Sequence, residues 1–337
     1  MAVTEDLDDG EVDVVVKETR QKRMRPNRLF VFGDSYADTG NIRKSLADSW
    51  KMPYGVSFPG KPSGRFSDGR IATDFLARYL GIKSPIPYTW KNYAGKERLL
   101  FGMNYAYGGT GVFKTFNNPL PNMTTQIDYF QKVLASGNIY TPSDLHTSLA
   151  LVSNAGNDYG TFILQKRLMT LGGKGGTAVL SATRVRALAT TDLTSLPLGR
   201  WTPFGDSWKR GCPDTREFPG FIKQVVDQTE VNLRRIHKLG VKKIAIASLQ
   251  PLGCLPSKTT SSSFKHCNAS DNALVKLHNI LLRRAVAKLN NETKPSTFVI
   301  LDLYKAFLTV LKNKRAKTES FKSSSLVQIS TRAAGPI

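Results

Sequence analysis

The sequence is poor in the residues that carry most site chemistry: 337 residues contain three cysteines and four histidines. Cys212, Cys254 and Cys267 are too few for a disulfide scaffold. Cys254 and Cys267 bracket a Ser/Thr-rich loop; they either pair across it in an oxidising compartment or remain buried thiols. No window of eighteen apolar residues occurs, so no helical membrane span is expected. The opening stretch, "MAVTEDLDDGEVDVVVKETRQKRMRPNR", starts acidic, turns basic and has no apolar core, so no export signal is visible in it. Three Asn-X-Ser/Thr sequons, at Asn122, Asn268 and Asn291, would matter only in a secreted protein.

Acidic residues are also scarce. With 48 Lys+Arg against 26 Asp+Glu, the formal charge is +22. Such a balance suits nucleic acid, anionic membrane or polyanionic wall material. Residues 165–216 (nine basic, three acidic) and 302–337 (seven basic, two acidic) hold half of the excess. No zinc-ligand spacing, RNA-binding aromatic pattern or heptad accompanies it, so nucleic acid is not an expected partner.

What the sequence does contain is an alternation of short apolar runs and amphipathic stretches. Residues 1–27 read as a disordered leader, because charge is dense and no apolar period persists. "RLFVFG" (28–33), "LALVS" (149–153), "VKKIAIASL" (241–249) and "TFVILDLY" (297–304) read as buried strands. Between them, helices are expected where Ile71, Phe75, Leu76, Tyr79 and Leu80 recur before Gly81. Others follow at Ile222, Val225, Val226, Leu233 and Ile236, and at Leu274, Leu277, Leu281, Ala285 and Leu289. This pattern predicts one α/β domain over 28–311, with a parallel sheet covered on both faces. Residues 166–216 and the polar tail 312–337 lack a period and read as a patternless insertion and a tail.

Three turns beyond apolar runs carry candidate chemistry. In "LFVFGDSYADTGN" (29–41), Ser35 stands at a strand end, where it is either a nucleophile or the cap of the next helix. "GMNYAYGGTGV" (102–112) supplies Gly108, Gly109 and Gly111, which let backbone approach a ligand closely. "SNAGNDYG" (153–160) offers Asn157, whose amide donates to an oxyanion. Together they form a constellation suited to acyl transfer. "GGKGG" (172–176) lacks phosphate-loop spacing, and no strand precedes Ser207 in "WTPFGDSWK" (201–209), so neither adds a site.

The blocks "FGDSYADTGN", "NYAYGGTGV", "GNDY" and "PLGCLP" resemble, in order, those of plant GDSL esterase/lipases of the SGNH hydrolase superfamily. The resemblance covers residues 28–165 and 217–311. It implies a flavodoxin-like α/β/α sandwich, incomplete at its C-terminal end. It also implies a Ser35 nucleophile, an oxyanion hole from the Ser35 N–H, Gly109 (or its neighbour Gly108) and the Asn157 amide, and secretion. The resemblance further implies a lipid, other carboxylic ester or acylated carbohydrate as substrate, with no metal or organic cofactor expected. Ala155 stands where the family's third block, Gly-X-Asn-Asp, has its first glycine. The family's Asp-X-X-His block is missing, since no aspartate is followed by histidine three residues on. His146, His237, His266 and His278 are not at the expected spacing, so these residues are expected to show little or no turnover. The other reading is a non-catalytic ester- or polysaccharide-binding protein using the same cleft.

Overall fold

A computed structural model describes residues 25–115, 119–172 and 217–317. Six strands, β1 (Arg28–Gly33), β2 (Ile86–Pro87), β3 (Gly102–Asn104), β4 (Ser148–Ser153), β5 (Ile244–Ala247) and β6 (Phe298–Leu301), form one sheet. Their order is β2-β3-β1-β4-β5-β6, and every pairing is parallel. The expected α/β/α architecture is the one observed. β1 is central because its side chains are apolar on both faces: Leu29 and Val31 join one core cluster, Phe30 and Phe32 another.

The longer helices are α1 (Ala72–Leu80), α2 (Met123–Ala135), α3 (Gly156–Gly172), α4 (Glu217–Lys238), α5 (Ala269–Glu292) and α6 (Leu303–Lys317). On the Phe30 side, α2, α4 and α5 contribute Ile127, Phe130, Leu233, Ile236, Leu282 and Leu289. On the other side, Ala77 and Leu80 of α1 pack under Leu29, Val31 and Leu151.

Two helix faces differ from the expected ones. In α1 the buried residues are Thr73, Asp74, Ala77 and Leu80, while Phe75 and Tyr79 are 58% and 77% exposed. Polar ties set this rotation: Thr73 Oγ1 donates to Ala37 O (2.7 Å), and Asp74 takes both Arg65 Nε and Nη2 (2.9 Å each). In α5 the centre of the face is Val275, His278, Leu282 and Val286, with Leu274, Leu277 and Leu281 only half-buried at its side. The α4 face is as expected, with all five named residues buried.

Helix α3 runs to Gly172 and α6 to Lys317, so each continues beyond the boundaries placed at 166 and 312. The last turns of α6, residues 312–317, are polar, so no apolar period marks them in the sequence. Residues 1–24, 173–216 and 318–337, with the leader and the "WTPFGDSWK" segment, lie outside the described residues. Cys254 and Cys267 form a disulfide, with Cα atoms 4.4 Å apart. Among the described residues no helix is long and apolar enough to cross a membrane.

The sheet order creates a place for a ligand. After β1 the chain builds β2 and β3 on one side, then crosses to build β4 on the other. The loops leaving the carboxyl ends of β1, β3 and β4 therefore diverge around a crevice at this switch point.

Candidate active site

Those three loops carry Ser35, Gly109 and Asn157. Gly33 ends β1 at φ 155, and a Cβ there would lie 2.1 Å from Ser153 O, so no larger residue fits between β1 and β4. The backbone then turns sharply: Ala37 and Asp38 N–H both donate to Asp34 O (3.0 and 2.9 Å), and the turn ends without becoming a helix. The side chain closing this turn is Asp34, whose Oδ1 accepts the Tyr36 N–H (3.0 Å). Ser35 thus caps no helix, and the dipole of a long helix is not behind it. It is 5% exposed.

The β3 loop is held to this turn by a buried polar lattice. Asp38 Oδ1 accepts Gly40 and Asn41 N–H (2.7 Å each), and its Oδ2 accepts Gly108 N–H (2.9 Å). Asn104 Nδ2 donates to Ala37 O (2.6 Å), and Asn41 Nδ2 to Asn104 O and Ala106 O (2.8 and 2.9 Å). The Gly108 N–H is thus committed to Asp38. Gly109 has φ 76, a left-handed conformation natural to glycine.

Asn157 lies in the first turn of α3, where its Nδ2 donates to Thr110 O (2.9 Å). The second N–H of that amide is not used in this bond. The neighbouring Asp158 accepts Val112 and Phe113 N–H (2.9 Å each), fastening α3 to the glycine-rich loop. Gln126 of α2 completes the frame: its Oε1 accepts Gly33 N–H (2.8 Å), and its Nε2 donates to Gly33 O (2.9 Å) and Pro121 O (3.0 Å). The lattice thus brings Ser35, Gly109 and Asn157 to one edge of the sheet. Ala155, between β4 and Asn157, has φ 115, a conformation costly for any residue with a Cβ.

Burial dominates the electrostatics. It pushes the Asp34 carboxyl up to about 7, with the Tyr36 N–H opposing and the Asp158 charge adding to the rise. Burial likewise raises Asp38 and Asp158 to about 6, against the N–H groups each accepts. Beside Asp34 and Tyr36, a narrow cleft opens between β4 and β5, lined also by Asn154, Ser248 and Gln250. The Nδ2 of Asn154 and the Nε2 of Gln250 are buried there without a well-formed hydrogen bond.

Among the hydrogen bonds of the described residues, none joins a histidine to Ser35. His146 ends a one-turn helix before β4, at the opposite edge of the sheet, and His237 lies over Phe298 at that same edge (ring centroids 5.7 Å). His266 is exposed in the disulfide loop. His278 is buried against Tyr159, Nδ1 to hydroxyl 2.6 Å, and burial lowers it to about 4, so it is held neutral.

A parallel α/β/α sandwich with a serine at the end of its central strand and amide donors on the flanking loops defines a class of hydrolase folds. Within that class, the GDSL-like lipase/acylhydrolase family model matches residues 29–196 and 204–323, and the chain belongs to that family. It is similar to GDSL esterase/lipase At3g09930 of Arabidopsis thaliana, 66% identical over 293 residues, which are 87% of this chain and 70% of that protein. GDSL esterase/lipase At5g03610 of the same plant is 59% identical over 301 residues, 89% and 71% of the two chains. Acetylajmalan esterase 2 of Rauvolfia serpentina is 27% identical over 312 residues, 86% and 72%. At the family level the protein is a hydrolase acting on esters. The matched ranges take in residues 166–196 and 204–216.

Proposed function

We propose that the protein cleaves carboxylic esters through an acyl-enzyme on Ser35. The backbone N–H groups of Ser35 and Gly109 and the free amide N–H of Asn157 take the charge that develops on the carbonyl oxygen. The observation that supports this reading is the Asn157 bond to Thr110 O (2.9 Å), which ties the amide to the residue after Gly109 in the β3 loop. The substrate class is a lipid, another carboxylic ester or an acylated carbohydrate. The Cys254–Cys267 bond fits an oxidising, secretory compartment.

Turnover by these 337 residues is slow in this reading, because no Asp-X-X-His spacing occurs in the sequence and a serine hydroxyl without a base stays protonated. An oxyanion hole and binding alone retain about 10³–10⁴-fold over water. The same absence of a base favours a second reading, in which the cleft binds an ester or polysaccharide without cleaving it. Hydrolysis of p-nitrophenyl acetate and butyrate separates these. Slow hydrolysis that disappears in Ser35→Ala is the expected result. Rates ordinary for an esterase and dependent on Ser35 overturn the slow-turnover reading. Hydrolysis unchanged by Ser35→Ala overturns the nucleophile, and binding of an acylated polysaccharide without product favours the second reading.

A further inference from the structure

Residues 43–61 leave the site as an excursion that is anchored where it starts and where it returns. Trp50 Nε1 donates to Ile42 O (2.7 Å), and Gly64 N–H donates to Ser49 O (3.1 Å). Gly55 N–H donates to Ser67 O (3.0 Å), and Ser49 and Tyr54 are buried within the excursion. On the return, the Phe66 ring lies so close to Gly108 that a Cβ there would stand 2.1 Å from it. The excursion is therefore fixed against the glycine-rich turn beside Ser35.

Its outer side is unusual for such a well-anchored segment. Leu46, Met52 and Val56 are 52%, 68% and 50% exposed. Single exposed apolar side chains are ordinary, but three within eleven residues next to a reactive turn mark an interaction surface. Four exposed cations accompany them: Arg43, Lys44, Lys51 and Lys61. The acidic residue of the stretch is Asp48, paired with Lys51 at 2.9 Å. Apolar side chains flanked by unopposed cations match a layer that is anionic at its headgroups and apolar beneath.

We propose that the 43–61 loop is a lipid-docking surface that seats the protein on an anionic phospholipid layer. Leu46, Met52 and Val56 enter the acyl boundary while Arg43, Lys44 and Lys61 meet headgroup phosphates. Docked this way, the Ser35 edge faces the layer from which an ester would be drawn. The inference extends the ester-hydrolase reading to substrate presented in a lipid layer, but it is tested by binding alone.

The test is co-sedimentation of the 337-residue protein with phosphatidylcholine vesicles, with and without phosphatidylglycerol. The net charge of +22 produces some attachment to anionic vesicles from any face, so the variants decide. Leu46→Ser/Met52→Ser/Val56→Ser should lower partition to the anionic vesicles about tenfold without changing charge. Lys44→Glu/Lys61→Glu should lower it about as much, while Lys238→Glu/Lys294→Glu, at the opposite edge of the sheet, should leave it within about twofold. Unchanged urea midpoints establish that all three variants are folded. Wild-type partition by the apolar triple variant, or equal losses in the two charge-reversal variants, overturns the proposal. Ser35→Ala should bind as wild type does, so docking and catalysis stand or fall separately.

Discussion

Replacing Gln126 by leucine tests whether the site is held by its polar frame or by packing alone. The side chain is fully buried and shares its amide among Gly33 N–H (2.8 Å), Gly33 O (2.9 Å), Thr110 Oγ1 (3.2 Å) and Pro121 O (3.0 Å). In Gln126→Leu the Gly33 N–H and the Pro121 O lose these partners. Gly33 O retains Thr110 Oγ1 at 3.3 Å. Each orphaned buried group costs about 1–3 kcal/mol. The more apolar side chain returns about 1 kcal/mol through burial. The net loss is then about 1–5 kcal/mol, a large share of the roughly 5–15 kcal/mol that holds a domain together.

Urea unfolding followed by circular dichroism reads this directly. With a slope of about 2–3 kcal/mol/M, the midpoint should fall by about 1 M. Gln126→Glu adds a sign test. Its carboxylate keeps the bond from Gly33 N–H but faces Gly33 O and Pro121 O without a donor. Protonation restores an O–H, so the folded state holds that proton more tightly than the unfolded chain does. Stability of this variant relative to wild type should therefore rise as pH falls from about 8 to about 5. A Gln126→Leu midpoint within about 0.2 M of wild type would refute the reasoning, since two orphaned groups cannot cost so little.

Ala155→Gly should raise the urea midpoint, because relief of a strained φ of 115, worth about 1–3 kcal/mol, exceeds the entropy that glycine adds; a lower midpoint would mean that the conformation is not strained. Asp34→Asn should flatten the pH dependence of stability. Between its ordinary value of 3.8 and the folded value of about 7, the folded state retains a proton that the unfolded chain has released. That stabilisation is lost as pH rises towards 7, and an undiminished decline in the variant between about pH 5 and about pH 8 would exclude Asp34 as its source. Cys254→Ser/Cys267→Ser should cost about 2–3 kcal/mol for a closure of thirteen residues, and reductant should lower the wild-type midpoint but not the variant's; insensitivity of wild type to reductant would refute the cross-link.

The parts of this molecule legible in the sequence are those where a residue's chemistry is expressed locally. Continuous apolar runs marked β1, β4, β5 and β6, because buried parallel strands need apolar side chains on both faces. β2 and β3, two and three residues long, carry no such run. The rotation of α1 was hidden because Phe75 and Tyr79 fall at apolar spacing, while Thr73 and Asp74, bound to Ala37 O and Arg65, decide which side turns inward. The same limit applies to the site. Ser35, Gly109 and Asn157 lie in turns whose composition marks them. Gln126, Asn104 and Asp38 sit where glutamine, asparagine and aspartate are unremarkable, and their bonds run to residues 93, 67 and 70 positions away.

Asp158 shows why these long-range bonds matter for reactivity. As a residue of "GNDY" it reads as a turn former, yet its carboxylate accepts two backbone N–H groups from the β3 loop while burial raises it to about 6. The charges of Asp158 and Asp38 both push Asp34 up, so the three cannot all ionise without cost. Their charge is tolerated because each carboxylate accepts backbone N–H groups from the turns that would hold the ester. In the proposed ester-cleaving reading, this frame buries negative charge beside a serine whose reaction would also develop negative charge, so the frame and the proposed chemistry oppose each other electrostatically. Weakening one member, as in Asp158→Asn, should relieve that repulsion while loosening Val112 and Phe113, so stability and reactivity need not move together.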